Sequence, residues 1–131
     1  MIYLDSSALL KLVFQEAESD ALAAWLASHV DLPIASSEVA KVEVMRASRR
    51  IDASALPDAR SLLGQLDLVP LNGAVVELAG NLAEASLRSL DALHLASALL
   101  LGDALEAFVA YDHRLMDAAA TSGLETHRPG T

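Results

Sequence analysis

Short apolar runs closed by an acid or a hydroxyl residue recur along this chain. Ile2-Tyr3-Leu4 runs into Asp5-Ser6-Ser7, Leu32-Pro33-Ile34-Ala35 into Ser36-Ser37, and Ala107 to Tyr111 into Asp112, while residues 66–71 form a further run that ends at Asn72. Each run has strand length and composition, and each closing residue is of a type that starts helices. Pro33 falls among the first residues of its run, where a strand tolerates proline. The segments between carry helical periodicity. Residues 8–14 and 17–28 predict a helical pair with Leu22, Trp25 and Leu26 on one face. Further helices are expected over roughly 37–50, over 52–64 with Pro57 near the start, and from Asn72 to about residue 85. The segment 91–101 is apolar almost all round, which predicts a buried helix ended by Gly102; a last helix runs from His113 to near Gly123. Residues 124–127 suggest an edge strand before a short tail. Strands alternating with helices on this scale predict one α/β domain over residues 1–131, with the tail counted from about residue 124.

The closing residues carry the candidate chemistry. In open α/β sheets ligands collect outside the carboxyl ends of the strands, so Asp5 and Asp112 are placed to meet one. Each is equally well placed to cap the helix that follows, and the pattern alone leaves both readings open. Asp91 stands in the first turn of the apolar helix, where capping and the helix dipole also account for an acid. Glu43 shares a helical stripe with Val39, Ala47 and Arg50, and so belongs to the packed side. A carboxylate there is costly unless paired or coordinated; Arg46, three residues on, is the local alternative partner. His94, amid leucines and with no second histidine at i+4, reads as a partly buried structural histidine. Lys11 reads as a solvated lysine. Each acid has a plain explanation, but four of them in one alternating domain suggest convergence at a sheet edge. A carboxylate cluster free of His and Cys suits Mg²⁺ or Mn²⁺, which keep waters and act on phosphates.

Composition narrows the classes. There is no cysteine, so disulfides, thiolate zinc sites and thiol nucleophiles are excluded. The hydrophobic fraction of 53% is high, yet no apolar run approaches the roughly 18 residues of a membrane span, and no basic segment precedes an apolar one at the N-terminus. A cytoplasmic protein without membrane attachment is the expectation. Eighteen acids against nine Lys and Arg give a formal net charge of -9, a field that repels polyanions. The cations are unevenly spread, however. Lys41, Arg46, Arg49 and Arg50 fall close together on one predicted helix, which offers a local phosphate-binding patch as well as a solvated helix end. No glycine-rich phosphate loop, serine nucleophile elbow or two-histidine metal helix occurs.

Four blocks in order carry a family resemblance: Ile2-Tyr3-Leu4-Asp5-Ser6-Ser7-Ala8-Leu9-Leu10-Lys11-Leu12, Val42-Glu43-Val44-Met45-Arg46-Ala47, Leu90-Asp91-Ala92-Leu93-His94-Leu95-Ala96 and Tyr111-Asp112-His113-Arg114-Leu115. Together they resemble the PIN-domain ribonucleases, in particular the VapC-type toxins of toxin–antitoxin modules. The resemblance implies a PIN fold, with a central parallel sheet of four to five strands and helices on both faces. By carry-over, Asp5, Glu43, Asp91 and Asp112 match the acidic positions that bind Mg²⁺ or Mn²⁺. Ser6 or Ser7 matches the polar residue that supports them, and Asp117 is a fifth, subsidiary acid. Arg46, Arg49 and Arg50 are the candidates for holding RNA phosphates. The family also implies metal-assisted RNA phosphodiester hydrolysis, a homodimer, and a cognate antitoxin protein that occludes the site. A phosphatase of the haloacid-dehalogenase type also opens with a strand and an Asp, but needs a second acid where Ser7 stands. A catalytically inactive PIN-fold protein-binding module is the other alternative, and metal binding separates it from the enzyme.

Overall fold

Five short strands, β1 (Ile2–Leu4), β2 (Ile34–Ser37), β3 (Asp67–Val69), β4 (Ala107–Val109) and β5 (Thr126–His127), pair throughout in parallel, in the order β3-β2-β1-β4-β5. They belong to a computed structural model that describes residues 1–131. Seven α-helices connect them: α1 (Ser6–Val13), α2 (Ser19–Ala27), α3 (Val39–Ile51), α4 (Leu56–Gly64), α5 (Gly73–Gly80), α6 (Ser89–Leu99) and α7 (His113–Thr121). No helix is long and apolar enough to cross a membrane.

The period of two along β1 divides the core between the two faces of the sheet. Ile2 and Leu4 pack with Leu9, Leu22, Val44 and Leu63 from α1 to α4, whereas Tyr3 points the other way and packs with Leu95, Phe108 and Leu115, under α6 and α7. The fold is therefore three-layered, with β1 central and buried along its whole length. The chain steps from β1 through β2 to β3 on one side and then returns to place β4 on the other. This reversal between β1 and β4 opens a crevice at the carboxyl ends of the strands, which is where open α/β sheets bind their ligands.

Several sequence expectations shift by a turn or less, and four need correction. The helix expected to reach residue 85 ends at Gly80, where glycine weakens the helix and the Asn81 amide donates to the Glu77 carbonyl at 2.8 Å. The helix expected to be buried all round starts at Ser89, and its first turn is open: Leu90 is 47% exposed, and full burial runs only over residues 94–98. Lys11 is not solvated. Its ammonium donates to Glu18 at 2.9 Å and Glu16 at 3.3 Å and sits 4.5 Å from the Tyr111 ring centroid. Burial lowers its pKa, but the bonds to Glu18 and Glu16 outweigh that and raise it. The last residues are also engaged. The Tyr111 hydroxyl donates to the Pro129 carbonyl at 2.8 Å, and Gly130, at φ +94°, lies where an added Cβ would meet Ala21 and Glu18 at 3.1 Å.

Candidate active site

The crevice between β1 and β4 is a cleft of about 380 Å³ lined by Asp5, Glu43, Asp91 and Asp112, with Ser6, Ser7 and His94 behind them and Arg46, Arg50 and Arg88 around them. Only Leu10 and Ala47 contribute apolar surface. A second cleft of about 370 Å³, between α5 and α6, is mostly apolar and gathers a single acid, Glu84.

Asp5 follows β1 directly and is buried. It caps α1: the Ser7 hydroxyl at 2.7 Å and the Ala8 N–H at 3.0 Å both donate to its Oδ1. Its Oδ2 has no protein partner. Asp112 follows β4 and caps α7 in the same way, its Oδ1 accepting from the Leu115 N–H at 3.0 Å. The capping and cleft-lining readings of these two acids are thus both true, one oxygen serving each. Burial pushes the Asp5 carboxyl up; the bonds from Ser7 and Ala8 oppose that, as does His94 whenever it is protonated, and the negative charge of Asp91 adds to it.

Glu43 enters from α3 and is held from two sides. The Ser6 hydroxyl donates to its Oε1 at 2.6 Å, and His94 Nε2 lies 2.7 Å from the same oxygen. Burial alone raises the Glu43 carboxyl, but the bonds from His94 and Ser6 outweigh it and leave the group below the usual range. The expected alternative, a pair with Arg46, does not form; Arg46 and Arg50 line the cleft and neither makes an ion pair. Asp91, in the first turn of α6, meets Arg88 Nε at 3.3 Å. With the Arg88 side chain 74% exposed, this contact contributes no more than about 1 kcal/mol and is easily exchanged.

Two carried-over positions lie outside the cleft. Arg49, at about 100° per residue, stands roughly 120° round α3 from Glu43 and does not line the cleft. Asp117 is exposed on α7 and does not line the cleft.

Could these residues hold a divalent cation? No three His, Asp or Glu side chains are gathered closely enough to cage an ion by themselves. The donor set is nonetheless of the right kind, with free carboxylate oxygens on Asp5 and Asp112 and mutual repulsion between Asp5 and Asp91 that a cation relieves. Mg²⁺ is held by one or two carboxylates and keeps several waters, so an open acidic cleft fits it better than a closed cage. All four acids, Asp5, Glu43, Asp91 and Asp112, line that one cleft.

The PIN domain family profile matches residues 2–120. The chain belongs to the PIN-domain family. Ribonuclease VapC46 of Mycobacterium tuberculosis is 45% identical over 128 aligned residues, covering 98% of this chain and 97% of that protein. Ribonuclease VapC35 of the same species is 42% identical over 132, covering 99% and 98%. Among solved structures, that of the M. tuberculosis VapC20, a sarcin-ricin-loop-cleaving toxin, superposes with a TM-score of 0.76 at 18% identity, over 98% of this chain and 100% of that one. The VapBC2 complex of Rickettsia felis, bound to a fragment of its promoter DNA, gives 0.71 at 13% identity, over 98% and 99%. At such identities these two matches speak for the PIN fold alone.

In this PIN domain the sequence reading assigned Arg88 no role at the cleft and took His94 as structural. Arg88, Asp91 and His94 recur at a spacing of three along α6, which brings all three to the cleft. That spacing was the available signal. His94 is fully buried, as a structural histidine would be, but its partner is the site carboxylate Glu43, 51 residues away in the chain.

Proposed function

We infer that this chain is a metal-dependent endoribonuclease, the toxin of a VapBC-type pair, which hydrolyses RNA phosphodiester bonds and thereby inhibits translation and growth. The observation that carries the reading is the acidic cleft flanked by three arginines in a chain whose full-length relatives are named ribonucleases. A bound Mg²⁺ or Mn²⁺ supplies a water of lowered pKa and a counter-charge for the phosphate. Asp5 and Asp91, together with Glu43 and Asp112, would hold such an ion, and the free carboxylate oxygens of Glu43 and Asp112 would be placed to accept protons. Arg46, Arg50 and Arg88 hold flanking phosphates, which fixes the strand in position and carries no sequence information. They offset locally the repulsion that a net charge of -9 exerts on RNA. A homodimer, a cognate antitoxin protein covering the cleft, and a cytoplasmic setting complete this reading.

Purified protein is expected to cleave structured RNA in Mg²⁺ or Mn²⁺ and to stop in chelator. Cleavage that persists in chelator overturns the mechanism. A folded protein that neither binds Mn²⁺ nor cleaves any RNA points instead to the inactive protein-binding module. The arginines make a separate prediction. Arg46→Ala or Arg50→Ala is expected to weaken RNA binding alike for all sequences and to flatten the slope of log K against log salt by about 0.7 for each phosphate that is no longer neutralised. Arg49→Ala, outside the cleft, should leave that slope unchanged, and equal effects of all three would mean a diffuse field rather than direct phosphate binding.

A further inference from the structure

A continuous chain of side-chain hydrogen bonds in the interior runs from Tyr3 to Glu43. The Tyr3 hydroxyl lies 2.7 Å from His94 Nδ1, and His94 Nε2 lies 2.7 Å from Glu43 Oε1 and 3.1 Å from the Ser6 hydroxyl. Tyr3 is fully buried in β1, stacked on Phe108 with ring centroids 5.4 Å apart and edge-on to His94 at 5.8 Å. The chain thus links three elements, β1, α6 and α3, and ends on a cleft carboxylate. It touches the cleft only through Glu43, Ser6 and one edge of His94.

Donors and acceptors can be assigned along it. An ionised carboxylate only accepts, so Nε2 must carry a proton to bond Glu43. In a neutral imidazole Nδ1 is then the acceptor, and the Tyr3 O–H, its only partner, donates to it. The Ser6 hydroxyl gives its single proton to Glu43, so its contact with Nε2 is one in which the oxygen accepts. Glu43 Oε1 therefore receives two bonds and Oε2 receives none.

We propose that Tyr3 and His94 are positioning residues: the Tyr3 hydroxyl fixes the imidazole in the tautomer protonated at Nε2, and that N–H, with Ser6, holds Glu43 so that Oε2 alone faces the cleft. Neither residue needs to touch RNA. Without the Tyr3 hydroxyl the imidazole is free to carry its proton on Nδ1, which turns an unprotonated Nε2 toward a carboxylate and breaks the bond that aims it. Partners that orient metal-site side chains in this way typically control affinity or activity by 10- to 100-fold. The inference rests on the metal-dependent reading above, and its test separates the two.

Tyr3→Phe removes one oxygen and keeps the ring that stacks on Phe108. In metal-free protein, nitrogen NMR of His94 is expected to show the Nε2–H tautomer alone in wild type and a mixture in Tyr3→Phe. The Mn²⁺ concentration that half-saturates the thermal-shift response should rise about 10-fold in the variant. Its kcat should fall by a similar factor while KM for RNA stays within about twofold. His94→Gln places an amide N–H where Nε2–H was, whereas His94→Leu fills the space without a donor. The Gln variant is expected to keep more activity than the Leu variant; a role in packing alone predicts the reverse. A single tautomer and a wild-type Mn²⁺ titration in Tyr3→Phe overturn the inference and leave the metal reading standing. A wild-type protein that does not respond to Mn²⁺ overturns both.

Discussion

Asp5→Asn is expected to lower metal-dependent RNA cleavage by about 100-fold or more, roughly 2.7 kcal/mol of transition-state stabilisation, while the protein still folds and accumulates. The separation of these effects follows from the two oxygens of Asp5. Oδ1 accepts from the Ser7 hydroxyl and the Ala8 N–H, and an asparagine carbonyl accepts both bonds as well. Oδ2, the oxygen without a protein partner, becomes an NH₂ group that cannot bind a cation. Asp91→Asn should act similarly, because its bond with exposed Arg88 contributes little to stability. Growth on induction and single-turnover cleavage in Mn²⁺ read the two consequences. Variants as toxic and as active as the parent would remove these acids from the catalytic set.

The second large effect is a crossing of melting temperatures. In chelator, Asp5→Asn should melt at or above wild type, because it removes a buried charge that Asp91 repels. In Mn²⁺ at a hundredfold excess over its dissociation constant, wild type gains about 2.7 kcal/mol, on the order of 10 °C for a chain of this size, and the variant forfeits most of it. The order then reverses. Parallel shifts of the two proteins would refute a metal site that includes Asp5. pH adds a sign. The Asp5 carboxyl is raised in the folded apo protein above its ordinary value of 3.8, so the folded state binds its proton more tightly than the unfolded one. The advantage of Asp5→Asn in chelator should therefore be small below that value and grow as pH rises through the folded pKa. Glu43 has the opposite sign, being lowered, and loses its stabilisation as pH falls; it is common to both proteins and cancels in the comparison.

Local grammar made much of this legible beforehand. A strand three residues long followed by Asp or Ser is visible wherever the acid also caps a helix, which is why Asp5, Asp112 and their strands were readable without knowing their neighbours. Glu43 was readable because a carboxylate on a packed stripe demands a partner. The partner itself was not, since nothing local joins His94 to a helix 51 residues earlier. Arg49 came in beside Arg46 and Arg50 as part of one basic run, and Asp117 as an acid one turn past Asp112; neither lines the cleft. Lys11 failed for a different reason: its companions Glu16 and Glu18 lie beyond the end of α1, and only the turn into α2 brings them back over it.

The double use of Asp5 and Asp112, one oxygen for a helix and one for the cleft, also shapes how a population would escape the protein. Aspartate and asparagine codons differ by one base, so on the proposed mechanism a single transition would disarm either position while leaving the cap, and hence the surface, in place. Survivors of forced expression should then include full-length missense alleles at these codons beside frameshifts. Such alleles would not be silent. An inert copy that keeps its surface still engages whatever neutralises the active form, and in a cell carrying both it would act as a dominant sensitiser.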